Sequence, residues 1–488
     1  MLPQKNNVAP LRNRIIVKVA ESFIKDRFMN ADAIPSEIMP DGALFYHADI
    51  ETDREIVKQI AIAVMGFNVA DEQGSNKSLK EYGEEALKRE KLLPSRLSVI
   101  NTACAACMKQ QHVVTNFCRG CVARPCFVNC PKCAISFVEG KAHINPELCI
   151  NCGICANSCP YNAIIKVPVP CEDSCPVGAI TKDAEGKEHI NNDICISCGK
   201  CLRSCPFGAI VEPYQLIDVL KLLKDSDKKV IAMVAPSILG QYNGTINNVI
   251  GAMKKLGFAD VTEVAVGADI TTEKEADEFI ERMEKGEKFM TTSCCPAYFR
   301  AAKTSMPEIA PYVSDTHTPM YYTAELVKQE NPDCVTVFVG PCYAKRVEAE
   351  NDPFVDYVLT YEELGAMFDA DNIKPEECEP QEFTDVSCYQ GRQFPVTGGV
   401  AGAVKSLVDG KVEMRPETVD GLTKEGIKLL KRYALKGCDC NMIEVMCCEG
   451  GCVAGPGCVA MPRKSALAVD KYVKTGEDLR QKLENQGK

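Results

Sequence analysis

Cysteine thiolates are soft ligands for iron, and three short stretches of this chain offer them in separate loops: Thr-Ser-Cys-Cys-Pro at 292–296, Gly-Pro-Cys-Tyr-Ala-Lys at 340–345 and Met-Cys-Cys-Glu-Gly-Gly-Cys at 446–452. Cys295, Cys342, Cys448 and Cys452 supply the ligand type and number that an iron-sulfur cubane needs. Cys294 and Cys447 remain over.

A second group of cysteines has the spacing of electron-carrying clusters. Cys149, Cys152, Cys155 and Cys159-Pro160 form a C-x2-C-x2-C-x3-C-P run, and Cys195, Cys198, Cys201 and Cys205-Pro206 repeat it. In such a run a tight loop presents three thiolates to one cubane, and the fourth reaches the other cluster of a pair. Upstream, Cys118, Cys121, Cys126 and Cys130 complete a first unit. Exchange of fourth ligands then gives one site on Cys118, Cys121, Cys126 and Cys159 and another on Cys149, Cys152, Cys155 and Cys130. In the second unit Cys175 joins Cys195, Cys198 and Cys201, while Cys171 and Cys205 lack a local C-x2-C. Cys104 and Cys107 form an orphaned C-x2-C that would complete a fourth site, or stay as free thiols, or bind a separate metal. Three to four accessory 4Fe-4S clusters are therefore expected. Cys133 stands in the place of Gly178 and is spare.

The elements that must position these residues are legible in the surrounding pattern. His143-Ile-Asn-Pro-Glu-Leu-Cys149 is echoed by His189-Ile-Asn-Asn-Asp-Ile-Cys195, an offset of about 46 residues, which predicts two ferredoxin-like units in tandem. Beyond residue 213, apolar runs at 230–235 and 261–266 read as strands, and 246–256 and 273–285 read as helices. The runs 288–292 and 334–339 end at or just before cysteine stretches. Strands alternating with helices predict a largely parallel sheet with its sites at the carboxyl ends of the strands. The expected class is thus α+β and α/β, with tandem ferredoxin-like iron-sulfur units preceding an α/β domain of largely parallel sheets.

Cysteine distribution sets the boundaries: none of the 29 lies in 1–103, seventeen lie in 104–205 and twelve lie after 293. The regions are 1–103, of unassigned role, 104–212 for the clusters, and 213–488, which carries the three cysteine stretches. Close cysteine spacing in a chain of 488 residues favours metal ligation in a reducing compartment over disulfides, and a cytoplasmic location is expected. No apolar run reaches the roughly 18 to 20 residues needed to cross a bilayer. A net charge of -11 gives no general pull toward nucleic acid or anionic lipid.

The three stretches, in order, resemble the signatures of FeFe hydrogenases over about residues 104 to 462. Departures place the resemblance nearer the group B branch. Tyr298 stands where group A usually has tryptophan, Gly340 where methionine usually precedes Pro-Cys, and Gly455-Pro456-Gly457-Cys458 where a glycine-rich stretch ends in glutamine. The resemblance implies an H-cluster, a cubane on Cys295, Cys342, Cys448 and Cys452 bridged through one of the last two to a di-iron subsite with carbon monoxide and cyanide ligands. It implies that Cys294 relays protons, as a thiol titrating near 8.5 can. It maps the outward proton route onto Glu275, Glu278 and Ser314, although glutamates on an amphipathic helix also serve as a solvated face. Lys345 would sit beside a cyanide, Glu348 would orient it, and Pro236, Ser237 and Met446 would line the subsite.

By this resemblance the expected activity is reversible interconversion of dihydrogen with protons and electrons, with ferredoxin or a similar carrier and hydrogenase maturation proteins as partners. The alternatives are a hydrogen sensor and a non-catalytic iron-sulfur electron-transfer or assembly protein. Neither G-x-G-x-x-G after a strand nor a P-loop is present to bind a nucleotide. Cys334, Cys378, Cys388, Cys438, Cys440 and Cys458 match no position of the family, and Cys438 and Cys440 are too close for a common cubane spacing.

Overall fold

A computed structural model describes residues 7–44, 46–107 and 112–485. The cysteine repeat folds as two copies of one motif: strand, short helix, hairpin, short helix, strand. In one copy the outer strands His112–Val114 and Ile164–Lys166 pair antiparallel around helices Pro125–Val128 and Ile154–Ser158 and the hairpin of Ile135–Val138 with Lys141–Ile144. In the other, helices Pro170–Ser174 and Lys200–Ser204 flank the hairpin of Ile180–Lys182 with Glu188–Ile190. Its last strand, Ile210–Val211, pairs antiparallel with Ser98–Val99. The opening strand of the second copy, with Cys104 and Cys107 behind it, therefore precedes the first copy in the chain. The two units are nested, one inserted in the other, where a simple tandem was expected. A two-residue strand has no alternation to betray it in sequence. These helices are too short to hold alone and are set by their ends: Pro125 and Pro170 open two of them, and Gly153 and Gly199, at φ 78° and 70°, open the others.

The C-terminal region contains two parallel sheets. The larger has the order Asp260–Glu263, Val230–Val234, Val335–Gly340, Tyr357–Thr360. Every residue of Val230–Val234 is buried, as its unbroken apolar run requires of a central parallel strand. The smaller has the order Met290–Thr291, Met442–Met446, Pro416–Asp420. Cys294, Cys342 and Cys448 each come just after the carboxyl end of one of these strands.

One element differs from expectation. The strand read at 261–266 ends at Glu263, and a helix, Ala265–Glu284, takes in the helix read at 273–285. Val264 and Val266 favour a strand, but Gly267 lets this helix close on Pro319–Glu330, where a Cβ would lie 2.2 Å from Pro319 O. Tertiary packing overrides local propensity there.

The cysteine-free N-terminal region is a helical brace. Helix Val8–Ile24 buries Ile15, Ile16, Val19 and Ala20 in the same core as Val230, Val234 and Leu364. Arg12 Nε donates to Glu362 Oε1 at 2.9 Å, and Arg89 Nε donates to Asp218 Oδ1 at 3.1 Å. Among the described residues no helix is long and apolar enough to cross a membrane.

Candidate metal centre

The loops at the strand ends bring Cys295, Cys342, Cys448 and Cys452 together: each of the four is in electrostatic contact with the other three. Burial pushes the Cys342 thiol up to about 12, with Cys295 adding to the rise and Lys345 opposing it. Four crowded thiols are a poor arrangement as free anions and a natural one around a cationic iron cluster. Among the described residues no three His, Cys, Asp or Glu are arranged to hold a single metal ion.

The accessory cysteines form further quartets. One cavity is lined by Cys118, Cys121, Cys126 and Cys159, and a second by Cys130, Cys149, Cys152 and Cys155. A third is lined by Cys104, Cys107, Cys171 and Cys205. Cys201 is in electrostatic contact with Cys175, Cys195 and Cys198. Nesting explains why Cys104 and Cys107 meet Cys171 and Cys205: they occupy in the outer unit the place of Cys118 and Cys121 in the inner one. Cys133 is exposed, and at φ 50° it shares the left-handed backbone of Gly178 at φ 68°.

The outer unit is clamped to the C-terminal sheets. Lys200 Nζ donates to Leu422 O at 2.6 Å, and Arg203 donates to Pro456 O and Cys458 O at 3.0 and 2.6 Å. A Cβ on Gly199 would lie 2.5 Å from the ring of Tyr343, so only glycine lets this loop approach Cys342 so closely. Cys198 meets the buried thiol of Cys447 in a sulfur hydrogen bond, directly before Cys448.

Around the quartet, Cys294 is partly buried against a cluster containing Met446. Burial, and then the charge of Glu275, hold its thiol protonated. Glu275 is 0 % exposed, so it is no part of a solvated face. Its Oε1 accepts from Ser293 N at 3.2 Å, and its Oε2 is buried without a partner. Burial raises its carboxyl to about 8. One turn on, Glu278 Oε2 accepts from Ser314 Oγ at 2.6 Å and Thr316 Oγ1 at 2.9 Å, and Asp315 N donates to Oε1 at 3.0 Å. Burial works to raise Glu278, but these bonds and Arg282 hold it below the usual carboxylate range. The two neighbouring carboxyls are thus pushed in opposite directions, Glu275 toward its protonated form and Glu278 toward its carboxylate.

Lys345 Nζ donates to Glu348 Oε2 at 2.7 Å and to Thr318 Oγ1 at 3.0 Å. Burial works against its charge, and Glu348 more than restores it. Pro236 and Ser237 are buried after strand Val230–Val234, and the Ser237 hydroxyl shares a 2.7 Å hydrogen bond with Tyr361 OH. Tyr298 is buried and shares a 2.8 Å hydrogen bond with Thr291 Oγ1. A Cβ at Gly340 would lie 2.4 Å from the Phe338 ring, which fills the space a longer side chain there would take.

Sequence reasoning missed Arg282, which joins Glu278 Oε1 at 2.7 Å to exposed Asp315. Its spacing four residues after Glu278 on one helix was the available signal. Thr318, Ser293 and the Cys198–Cys447 contact had none, since each joins distant loops.

Glu275→Gln tests the raised carboxyl. The unfolded side chain titrates near 4.5 and the folded one at about 8, so the folded state binds more protons between those values. Stability contributed by this group is therefore lost as pH rises through that window. Wild type should lose stability relative to Glu275→Gln from about pH 5 to about pH 9 in chemical denaturation, and parallel profiles would contradict the assignment.

Residues 228–456 match the family model for the C-terminal domain of the iron only hydrogenase large subunit. Residues 142–165 match a 4Fe-4S binding domain and 165–215 the LdpA Fe-S cluster-binding domain. The periplasmic [Fe] hydrogenase large subunit of Nitratidesulfovibrio vulgaris is 29% identical over 303 residues, covering 50% of this chain and 72% of that protein. Iron hydrogenase 1 of Clostridium pasteurianum is 27% identical over 295 residues, 49% of this chain and 51% of that one. A probable cytosolic Fe-S cluster assembly factor of Nematostella vectensis is 28% identical over 233 residues, 39% and 53% of the two chains. The chain thus spans about half the length of the latter two relatives.

Proposed function

The chain belongs to the iron-only hydrogenase family, and from that premise we propose that it is an FeFe hydrogenase, interconverting dihydrogen with two protons and two electrons. The observation that carries this reading is the buried Glu275 carboxyl beside Cys294, itself next to a member of the central thiol quartet.

Cys295, Cys342, Cys448 and Cys452 would hold the cubane of an H-cluster. That group, when bound, supplies the making and breaking of the H–H bond. Lys345, kept charged by Glu348, would stabilise an anionic ligand in the pocket. Cys294 would exchange its proton with Glu275, whose unpartnered Oε2 can accept one. Glu278 with Ser314 would pass it on, and Arg282 and Asp315 lie at the outer end. Met446 and Pro236 with Ser237 would exclude water from the pocket.

Electrons would travel over four accessory 4Fe-4S clusters. The quartet Cys175, Cys195, Cys198 and Cys201 would stand nearest the catalytic centre, because Cys198 touches Cys447. A ferredoxin-type carrier in an anaerobic cytoplasm would take or supply them, and maturation proteins would install the di-iron subsite. The group B departures at Tyr298 and Gly340 are accommodated by Thr291 and Phe338.

The similarity to an assembly factor supports a second reading, in which the scaffold holds only cubanes. Infrared spectroscopy of protein matured anaerobically separates the two: bands of iron-bound carbon monoxide and cyanide are expected, and their absence from fully iron-loaded protein would favour the second reading. Replacing Cys104 and Cys107 together should remove about four irons per chain, the content of one cubane. An unchanged iron count would reject the fourth accessory site.

A further inference from the structure

Cys438 and Cys440 belong to none of the metal-binding quartets. They lie in the loop between helix Lys424–Lys436 and strand Met442–Met446. Their sulfur atoms are 3.1 Å apart, and the Cys438 thiol lies 3.2 Å from Cys440 O. Cys440 is buried and Cys438 is partly exposed, so Cys438 is the more accessible of the two. The carboxylate of Glu417 is in hydrogen-bond contact with Cys440 and accepts from Tyr433 OH at 2.7 Å. The loop is pinned on both sides. Arg415 Nε donates to Asp439 O at 2.8 Å, Arg415 N donates to Asn441 Oδ1 at 2.6 Å, and Asn441 Nδ2 donates to Glu413 O at 2.9 Å.

We propose that Cys438 and Cys440 are a dithiol–disulfide site that exchanges with low-molecular-weight disulfides of the glutathione class. The reachable Cys438, as thiolate, attacks one sulfur of the small disulfide, and its S–S bond breaks. One small thiolate leaves, takes up the proton that Cys438 lost, and a mixed disulfide remains on Cys438. Cys440 then gives its proton toward Glu417, and its sulfur attacks the Cys438 sulfur. The mixed disulfide breaks, the second small thiolate leaves as a thiol, and the protein disulfide closes. Two protein thiols are oxidised and one small disulfide is reduced to two thiols, so no other oxidant is needed. The reverse exchange reopens the pair.

Exposure sets the order of attack, and contact sets the second step. Cys440 is sheltered from a bulky disulfide but already touches the sulfur it must attack. Glu417 sits where the departing proton needs an acceptor. The strand that begins beyond Cys440 runs directly to Cys447 and Cys448 at its far end, so the pair lies one strand length from the catalytic quartet.

The test uses anaerobic, cluster-loaded protein incubated with oxidised glutathione and then alkylated. Trypsin with a glutamate-specific protease releases residues 437–444, which contain these two cysteines and no other. Wild type should yield this peptide lighter by two hydrogen atoms and unalkylated, and dithiothreitol should restore two alkylation sites. Cys440→Ser should stop at a glutathione adduct on Cys438. Cys438→Ser should leave Cys440 free for alkylation once the protein is denatured. Glu417→Gln should accumulate the adduct, closing the ring about tenfold more slowly. Two alkylated thiols in treated wild type, or a glutathione adduct that never closes, would overturn the proposal. Because the readout is the mass of one peptide, it stands or fails apart from the hydrogenase reading.

Discussion

Cys294→Ala should leave the iron content nearly unchanged while hydrogen turnover falls by about 10²- to 10⁴-fold, the usual contribution of a positioned acid or base. Cys294 is outside the central quartet, so the four thiols that would bind the cubane remain. Alanine removes the sulfur in electrostatic contact with both Glu275 and Cys295 and offers no group that can carry a proton. The substitution removes one atom from a partly buried site beside Met446, so packing should change little. Iron analysis and activity on the same preparation separate the two effects. Full activity in the alanine variant would end the relay assignment. Loss of iron in proportion to activity would show that Cys294 serves the scaffold instead.

Arg346→Ala should destabilise the fold by about 3 to 5 kcal/mol, the cost of breaking a buried ion pair from one side. Arg346 is 0 % exposed and pairs with both Glu212 and Glu363. Its Nη1 also donates to Pro213 O at 3.3 Å. Glu363 in turn caps the helix Tyr361–Ala370, accepting from Thr360 N at 2.7 Å. Alanine would take the ion-pair partner from two buried carboxyl groups, at the place where the chain passes from the outer cysteine unit to the C-terminal sheets. Chemical denaturation measures the loss. Adding Glu212→Gln and Glu363→Gln should recover part of it, because the orphaned carboxyl groups are then gone. A single variant as stable as wild type would show that this cluster contributes nothing net.

The legible part of the molecule was the part whose partners are close in sequence or carry a distinctive residue type. C-x2-C spacing identifies Cys149 to Cys159 because the loop that presents three thiolates is itself a local structure. Strands such as Val230–Val234 were legible because burial on both faces leaves an unbroken apolar run. Arg346 was invisible for the opposite reason: its partners lie 134 and 17 residues away, and an arginine after a helix start reads as ordinary surface. The same holds for Arg12, 350 residues from Glu362. The beginning of helix Ala265–Glu284 was misread because valines favour strands in isolation, and the close approach at Gly267 that decides the matter belongs to another helix. Cys104 and Cys107 could be paired with Cys171 and Cys205 by elimination. The interruption of one unit by the other left no periodic trace.

That interruption also fixes an order of synthesis. The inner unit is complete once Lys166 has left the ribosome, since His112 pairs with Lys166. The outer one must wait for Ile210 to meet Val99. At roughly 5 to 20 residues per second, translation leaves Cys104 and Cys107 without their later companions for several seconds. During that time the nascent chain displays two unclaimed sulfurs, and a newborn inner unit beside them holds eight more cysteines that already have their places. Iron delivered early would be taken by the inner unit first, and the last accessory cluster to form would be the one whose ligands straddle it.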